Sequence, residues 1–353
     1  MKVSVVPLLR SSLAAMLSVA LLGACVDQGQ GDVQLGDASL QAGSALNATP
    51  QILQRMQEAS GSIAFHGERR YFARTKDGDI EQLEEVGSDG AGRFAFELTD
   101  VLSLPSTLNQ YGYEIETESA WRFAQNIRDP RIVSAAATAR NFFITTTDAT
   151  PNVAGIDCIR LRFRRHVPVG DRPGDYEADV DPNTGFALAW REFDASGQVL
   201  TSLTYESFEY KGDLSSMTLR GRVFTASPLA IGQPLGPQAS FQLNVPAIYH
   251  EGVELIAGEI MTVPQEMAAS LPPGQKSYLV PGEWLRLVAT DGIEVTVFAH
   301  SKASSQGGIV AGELRPSTSL SWNIGHGRLK GTSYVVATRA PMVWVQRIVM
   351  SAF

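Results

Sequence analysis

"IAFHGERRYFARTKDGDIEQLEEVGSDGAGRFAFEL", running from Ile63 to Leu98, is the stretch whose reading decides the fold. Apolar and aromatic β-formers alternate or cluster between two sets of turn residues, Lys76-Asp77-Gly78-Asp79 and Ser88-Asp89-Gly90. Side chains on a strand point alternately to opposite faces, so this spacing describes half-buried strands. The Asp-Gly pairs supply the positive φ that tight reversals require. The segment predicts an antiparallel meander of three strands.

Just upstream, "ATPQILQRMQEASGS" (Ala48–Ser62) changes period. Thr49 can cap a helix, Pro50 suits its first position, and Gly61 lies just past its end. Ile52, Leu53 and Met56 fall on one helical face, with Gln and Glu opposite. This helix is expected to cover something apolar.

Downstream, "YGYEIETESAWRFAQ" (Tyr111–Gln125) is read as a strand followed by a helical turn, and the Ala-rich "RIVSAAATARNFF" (Arg131–Phe143) as a helix. In the next β run Ile159, Leu161 and Phe163 alternate with Arg160, Arg162 and Arg164, one face apolar and the other basic. "YEADVDPNTGFALAWREFDASGQVLTSLTYESFEY" (Tyr176–Tyr210) then predicts three more strands. They are separated by turns at Asp181-Pro182-Asn183-Thr184-Gly185 and Asp194-Ala195-Ser196-Gly197. An amphipathic helix, a second helix and about seven antiparallel strands fit a strongly curved half-barrel sheet wrapped around helix. The fold class is therefore α+β, with a concave apolar face.

A Gly-, Pro- and Ser-rich connection carrying a strand, 212–238, leads to a smaller α+β region at 239–353. Here "VPQEMAASLPPGQ" suggests a short helix, and "SSQGGIVAGELRPST" a loop. "WLRLVATDGIEVTVFAH" (Trp284–His300) is a hairpin closed by Asp291-Gly292. "GTSYVVATRAPMVWVQRIVMS" is a strand followed by a helix beginning near Pro341. No internal repeat is evident.

The start of the chain places the protein. Lys2 and Arg10 precede an apolar run from Leu13 to Ala24, a layout that fits a secretory signal and is short for a membrane span. It ends in Leu22-Gly23-Ala24-Cys25, small residues that suit a peptidase cleft followed by a thiol available for acylation. This resembles the bacterial lipobox and implies cleavage before Cys25, lipidation of Cys25, and residues 1–24 as a lipoprotein signal. The polar, Gly-rich segment 25–48 lacks aromatic residues and reads as a flexible tether. The body, 49–353, divides into domains at 49–211 and 239–353.

Aspartate and glutamate number 37 against 29 lysine plus arginine. An acidic balance argues against nucleic acid, whose phosphates need basic patches. With Cys25 lipidated, the other of the two cysteines, Cys158, has no intrachain partner. In its strand-like run it reads as a small buried apolar residue. The histidines, His66, His166, His250, His300 and His326, are scattered and form no spaced ligand pair. No Gly-x-Ser-x-Gly elbow, P-loop or dinucleotide glycine set is present. "GSDGAG" and "DVDPNTG" read as turns, the latter lacking the spaced carboxylates of a calcium loop. No enzyme, cofactor or metal is expected. The one charge feature of interest is the stripe Arg160, Arg162, Arg164, Arg165 with His166. It is either a solvated face that opposes edge-to-edge aggregation or a surface for an anion: a lipid headgroup, a lipopolysaccharide phosphate or an acidic peptide.

The helix at Ile52–Met56, the "FHGERRYF" strand and the meander ending in a Gly turn resemble the start of the sigma-E regulatory proteins of the RseB/MucB family. "VAGIDCIRLRFRRH" and the Asp-x-x-Thr-Gly and Asp-x-x-Gly turns resemble the later half of the same domain, and "LPPGQ", "ATDGIEVTVFAH" and "GTSYVVATRAP" its second domain. The resemblance spans nearly all of 49–353. It implies a first domain similar to the lipoprotein carrier LolA and a smaller second domain. It further implies a periplasmic, non-enzymatic regulator that binds the outer part of a membrane anti-sigma factor and responds to lipid or lipopolysaccharide. The alternative is an outer-membrane lipid or lipoprotein carrier or assembly lipoprotein. Val26 after Cys25 leans the membrane address toward the outer membrane.

Overall fold

The computed structural model describes residues 50–59, 61–75, 77–111, 113–114, 117, 130–166, 175–194, 196–220, 225–228, 248–250, 253–263, 282–290, 292–300, 323–329 and 332–338. Cys25 and the tether lie outside them, as do residues 264–275 of the expected short helix, the loop expected at 304–318 and the helix expected from Pro341.

Helix α1 spans 50–59, and Ile52, Leu53, Met56 and Ala59 are its buried residues, the face that the spacing predicts. Gly61 follows with φ +92°, and the Ser62 hydroxyl donates to the Glu58 carbonyl at 2.5 Å, satisfying one of the last helical carbonyls. The predicted meander is present as β1 (Ala64–Thr75), β2 (Gly78–Asp89) and β3 (Phe94–Ser103).

Two expectations are corrected. Around Tyr113 the backbone is helical rather than extended, with the Tyr113 N–H bonded to the Asn109 carbonyl at 2.9 Å. A Gln110–Glu114 side-chain bond at 3.0 Å adds an i,i+4 contact that a strand cannot make. The Ala-rich segment is helical only as α2 (Ala135–Asn141), capped by the Ser134 hydroxyl accepting from the Ala137 N–H. At Phe142 the chain becomes extended and continues as β4 (Phe142–Thr146). Propensity supports the helix as far as Arg140. Burial of Phe142 against Phe163 and Tyr176 then favours the strand.

A small hairpin, β5 (Asn152–Val153) with β6 (Ile156–Asp157), precedes β7 (Ile159–Arg165), β8 (Asp175–Val180), β9 (Ala187–Phe193) and β10 (Val199–Tyr210). The main sheet has eight strands in the order β3-β2-β1-β10-β9-β8-β7-β4, all antiparallel and not closed on itself. Its buried face carries Phe65, Tyr71, Ile80, Val86, Leu161, Phe163, Val180, Leu188, Trp190, Leu203 and Tyr205, and α1 packs on it. A bulge keeps that face continuous. Arg69 opposes Tyr205 while Glu68 opposes Ser207, so Glu206 is the extra residue. Without it Phe208 and Tyr210 would turn outward.

The second sheet contains β11 (Thr225–Pro228), β12 (Ile248–His250), β13 (Val253–Val263), β14 (Gly282–Thr290), β15 (Glu294–His300), β16 (Asn323–Leu329) and β17 (Thr332–Thr338). Its order is β11-β13-β14-β15-β17-β16, with β12 also on β13. The predicted hairpin is β14–β15, in register from Trp284 opposite His300 to Thr290 opposite Glu294.

The hairpin's turn joins this sheet to the first. Ile132 bridges Ile293, and the Val133 and Ser134 N–H groups both donate to the Gly292 carbonyl, at 3.0 and 3.3 Å. Ile293 is 5% exposed and belongs to the same apolar cluster as Ile52, Leu53 and Trp190. Gly292 has φ +119°, and a β-carbon there would lie 2.2 Å from the Thr138 nitrogen. Only glycine fits that approach.

Candidate functional site

The concave face is not completely filled. Between α1 and the strands lies a cleft of about 750 Å³ of open and enclosed space. Its walls include Met56 and Ala59 from the helix, Phe65 from β1, Trp190 from β9, Leu203 and Tyr205 from β10, and Ile132. The alternation of β1, β9 and β10 places these side chains inward, and α1 spans them as a roof. Aromatic rings crowd one end: Phe65 lies 5.0 Å from Phe186, 5.5 Å from Phe208 and 6.0 Å from Tyr205, centroid to centroid. A concave, mostly apolar space with few polar groups takes an apolar chain or the apolar side chains of a peptide.

Two arginines line the cleft, Arg69 and Arg131. Arg69 is 2% exposed, and its Nε donates to Glu84 Oε2 at 2.9 Å. Glu84 also accepts from Gln82 Nε2, and Gln82 Oε1 accepts from the Tyr113 hydroxyl at 2.5 Å. All four side chains are buried. A buried charge requires such a partner, since desolvation otherwise costs on the order of several kcal/mol per ion. The sequence reading missed this network. Its signal was available: Gln82 and Glu84 share the parity of Ile80 and Val86, so polar residues stood on the apolar face.

A second polar cluster closes the Asp181–Gly185 turn beneath α1. Asp181 accepts from the Tyr210 hydroxyl at 2.6 Å, the Thr184 hydroxyl at 2.9 Å and the Asn183 N–H at 2.9 Å. Burial alone would raise its pKa, but these bonds outweigh it and hold the carboxyl below the usual range. Burial and the bond to Asp181 push the Tyr210 phenol up. Arg55 of α1 donates to the Pro182 carbonyl at 2.5 Å, and a β-carbon on Gly185 would lie 2.4 Å from the Arg55 backbone. The turn is thus a seat for the helix.

Cys158 is 2% exposed among Phe65, Val86, Leu188 and Tyr205, where the sequence reading put it. Burial, then Asp179 and Asp181 nearby, push its thiol up to about 11.

The arginine stripe does not form one patch. Arg160, Arg162 and Arg164 share the outer face of β7, whereas Arg165 has the opposite parity and lies 4.9 Å over the Phe142 ring. Two of the three outward arginines reach a carboxylate of β8, and the third stands opposite one. Asp179, fully buried, accepts from Arg160 at 2.6 and 2.9 Å and from Arg191 at 3.0 Å. That pairing raises the Arg160 pKa. Arg162 stands opposite Glu177, and Arg164 lies 3.8 Å from Asp175. His166 lies against Phe143, with centroids 3.9 Å apart.

The described residues form an open antiparallel half-barrel with a helical roof over an apolar cleft, followed by a second antiparallel sheet. Among solved structures this chain is similar to MucB, at 14% identity over 87% of this chain and 98% of that one, with a TM-score of 0.43. It is likewise similar to MucB in complex with the periplasmic MucA segment, at 15% identity over 86% and 98% of the two chains and a TM-score of 0.43. The MucA/MucB complex of Pseudomonas aeruginosa gives 14%, 86%, 98% and 0.43. No family model and no curated protein matches the chain.

Proposed function

We propose that this protein is a non-enzymatic regulator of the bacterial envelope that binds the periplasmic part of a membrane anti-sigma factor. In this reading the mature chain is lipidated at Cys25 and faces the periplasm from the outer rather than the inner membrane. It has a first domain at 49–211 and a second at 239–353. The observation that carries the proposal is the apolar cleft under α1, one wall of which, Ile132, is bridged to Ile293 in the β14–β15 turn, the hydrogen bonds coming from its neighbours Val133 and Ser134. An acyl chain or amphipathic segment entering the cleft bears on Ile132, and so on the attachment of the second sheet. Two ligands that both draw on that arrangement change each other's affinity. The sequence resemblance over 49–353 supplies the partner's class.

The second reading is a lipid or lipoprotein carrier at the outer membrane, which the cleft alone would serve. An in-cell crosslink of tagged full-length protein, read by mass spectrometry, separates the two. Enrichment of a single-pass membrane protein with a cytoplasmic sigma-binding segment is the expected result. Capture of lipoproteins, lipid-assembly factors or bare lipid alone leaves the carrier.

A further inference from the structure

Among the described residues, β4 is the last strand of the main sheet and pairs only with β7. An end strand presents unpaired backbone groups to any extended chain that approaches, and proteins commonly blunt such edges with charge or a cover. The β4 edge carries no charge of its own. From Ser134 to Thr147 the chain holds one arginine, Arg140, and no carboxylate. Phe143 projects from this strand and is 62% exposed, the most exposed of the large hydrophobic side chains among the described residues.

The cations stand one strand in, directly opposite. Arg164 faces Phe143 and Arg162 faces Thr145 across the β4–β7 ladder. Arg164 is 64% exposed, with Asp175 no nearer than 3.8 Å. Arg162 is exposed and makes no ion pair among the described residues. The carboxylates of this face, Asp175, Glu177 and Asp179, lie on β8, beyond the arginines as seen from the edge. Asp179 is already engaged by Arg160 and Arg191. A chain docking along β4 therefore meets, in order, free main-chain groups, an exposed aromatic ring and two exposed guanidinium groups.

We propose that β4 accepts an extended peptide strand from a protein partner, whose outward face carries one apolar side chain seated against Phe143 and carboxylates two residues away. Main-chain hydrogen bonds then give affinity, and alternate side chains give specificity. A carboxylate beside Thr145 lies within reach of Arg162, directly across that small residue, and of Arg164, its diagonal neighbour on the same face. This surface works independently of what occupies the cleft.

The test is to pan random dodecapeptides displayed on phage against the purified full chain, then map an enriched peptide by amide hydrogen exchange. Enriched peptides are expected to carry an apolar residue with acidic residues two positions away, on the same strand face, and to slow exchange in residues 142–146. Arg162→Glu with Arg164→Glu is expected to weaken them by about tenfold or more, as loss of close complementary charge does. Phe143→Asp should do the same. All three positions are exposed, and Arg162→Gln with Arg164→Gln, checked by circular dichroism, guards against a folding defect. The proposal is overturned if no peptide is enriched, if the enriched peptides lack acidic residues, or if protection falls elsewhere. It is equally overturned if the charge reversals abolish binding to vesicles of phosphatidylglycerol and phosphatidylcholine while leaving peptide binding intact.

Discussion

Asp181 shows how one residue can hold a turn and a helix together. Its carboxylate accepts three hydrogen bonds while 3% exposed, and the turn it closes seats Arg55 of α1. Its pKa is lowered from the usual 3.8, so the stability it contributes is present above that value and is lost as pH falls through the lower folded value. Asp181→Asn is expected to cost about 1–3 kcal/mol at neutral pH, the range for a buried hydrogen-bond network left short of a charged acceptor. It should also flatten the stability loss below pH 3.8, as measured by urea unfolding across pH. An unchanged acid limb would show that the carboxylate is not responsible. Cys158 offers a second check. Buried, and with its thiol pushed up to about 11, it should react negligibly with a thiol reagent at neutral pH until denaturant is added. Rapid labelling of the native protein would contradict its placement in the core.

At the scale of the element, α1 both roofs the cleft and anchors the core. Leu53 is 1% exposed within the cluster that includes Trp190, Phe163 and Ile293. Leu53→Ala is expected to destabilise by about 2–5 kcal/mol, measured by chemical denaturation, because the cavity left behind cannot fully collapse. This helix and the first hairpins were readable in advance, since Ile52, Leu53 and Met56 repeat at helical spacing and Asp-Gly pairs punctuate the strands. The segment around Tyr113 was not. Its aromatic, β-prone residues point locally to a strand, and what holds it helical includes a hydrogen bond to Gln82, a residue far away in sequence. Phe142 and Phe143 were likewise drawn out of an Ala-rich helix by partners on β7.

Across the whole molecule, the turn between β14 and β15 is the described point where the second sheet enters the core of the first. Gly292 and Ile293 make that entry, against Thr138, Ser134 and Ile132. Gly292→Val introduces a β-carbon where 2.2 Å separates it from backbone, at a φ that branched side chains avoid. The expected outcome is loss of the junction, with the second sheet melting ahead of the first in calorimetry and becoming protease-sensitive. A single transition at the original temperature would show that the two sheets are held together by other means. If the cleft and the second sheet are coupled through Ile132, the same substitution should also change the affinity of the cleft for an apolar probe such as a fatty-acid fluorophore.

The chain's own pattern was enough for the α+β class, the helix at 50–59, the β1–β3 meander, the β8–β10 strands and the β14–β15 hairpin. Each depends on local periodicity and turn chemistry, which neighbouring residues settle among themselves. Tertiary structure alone decided the rest. The arginine stripe looked like one basic surface because alternation reveals which residues share a face but not what lies across the ladder. The fold set β8 carboxylates opposite Arg160, Arg162 and Arg164 and turned Arg165 to the other side. The polar network of Arg69, Glu84, Gln82 and Tyr113, the cleft beside it and the Gly292 junction join residues far apart in the chain. Such contacts depend on how the strands curve and which turns approach them, and no local window of sequence carries that information.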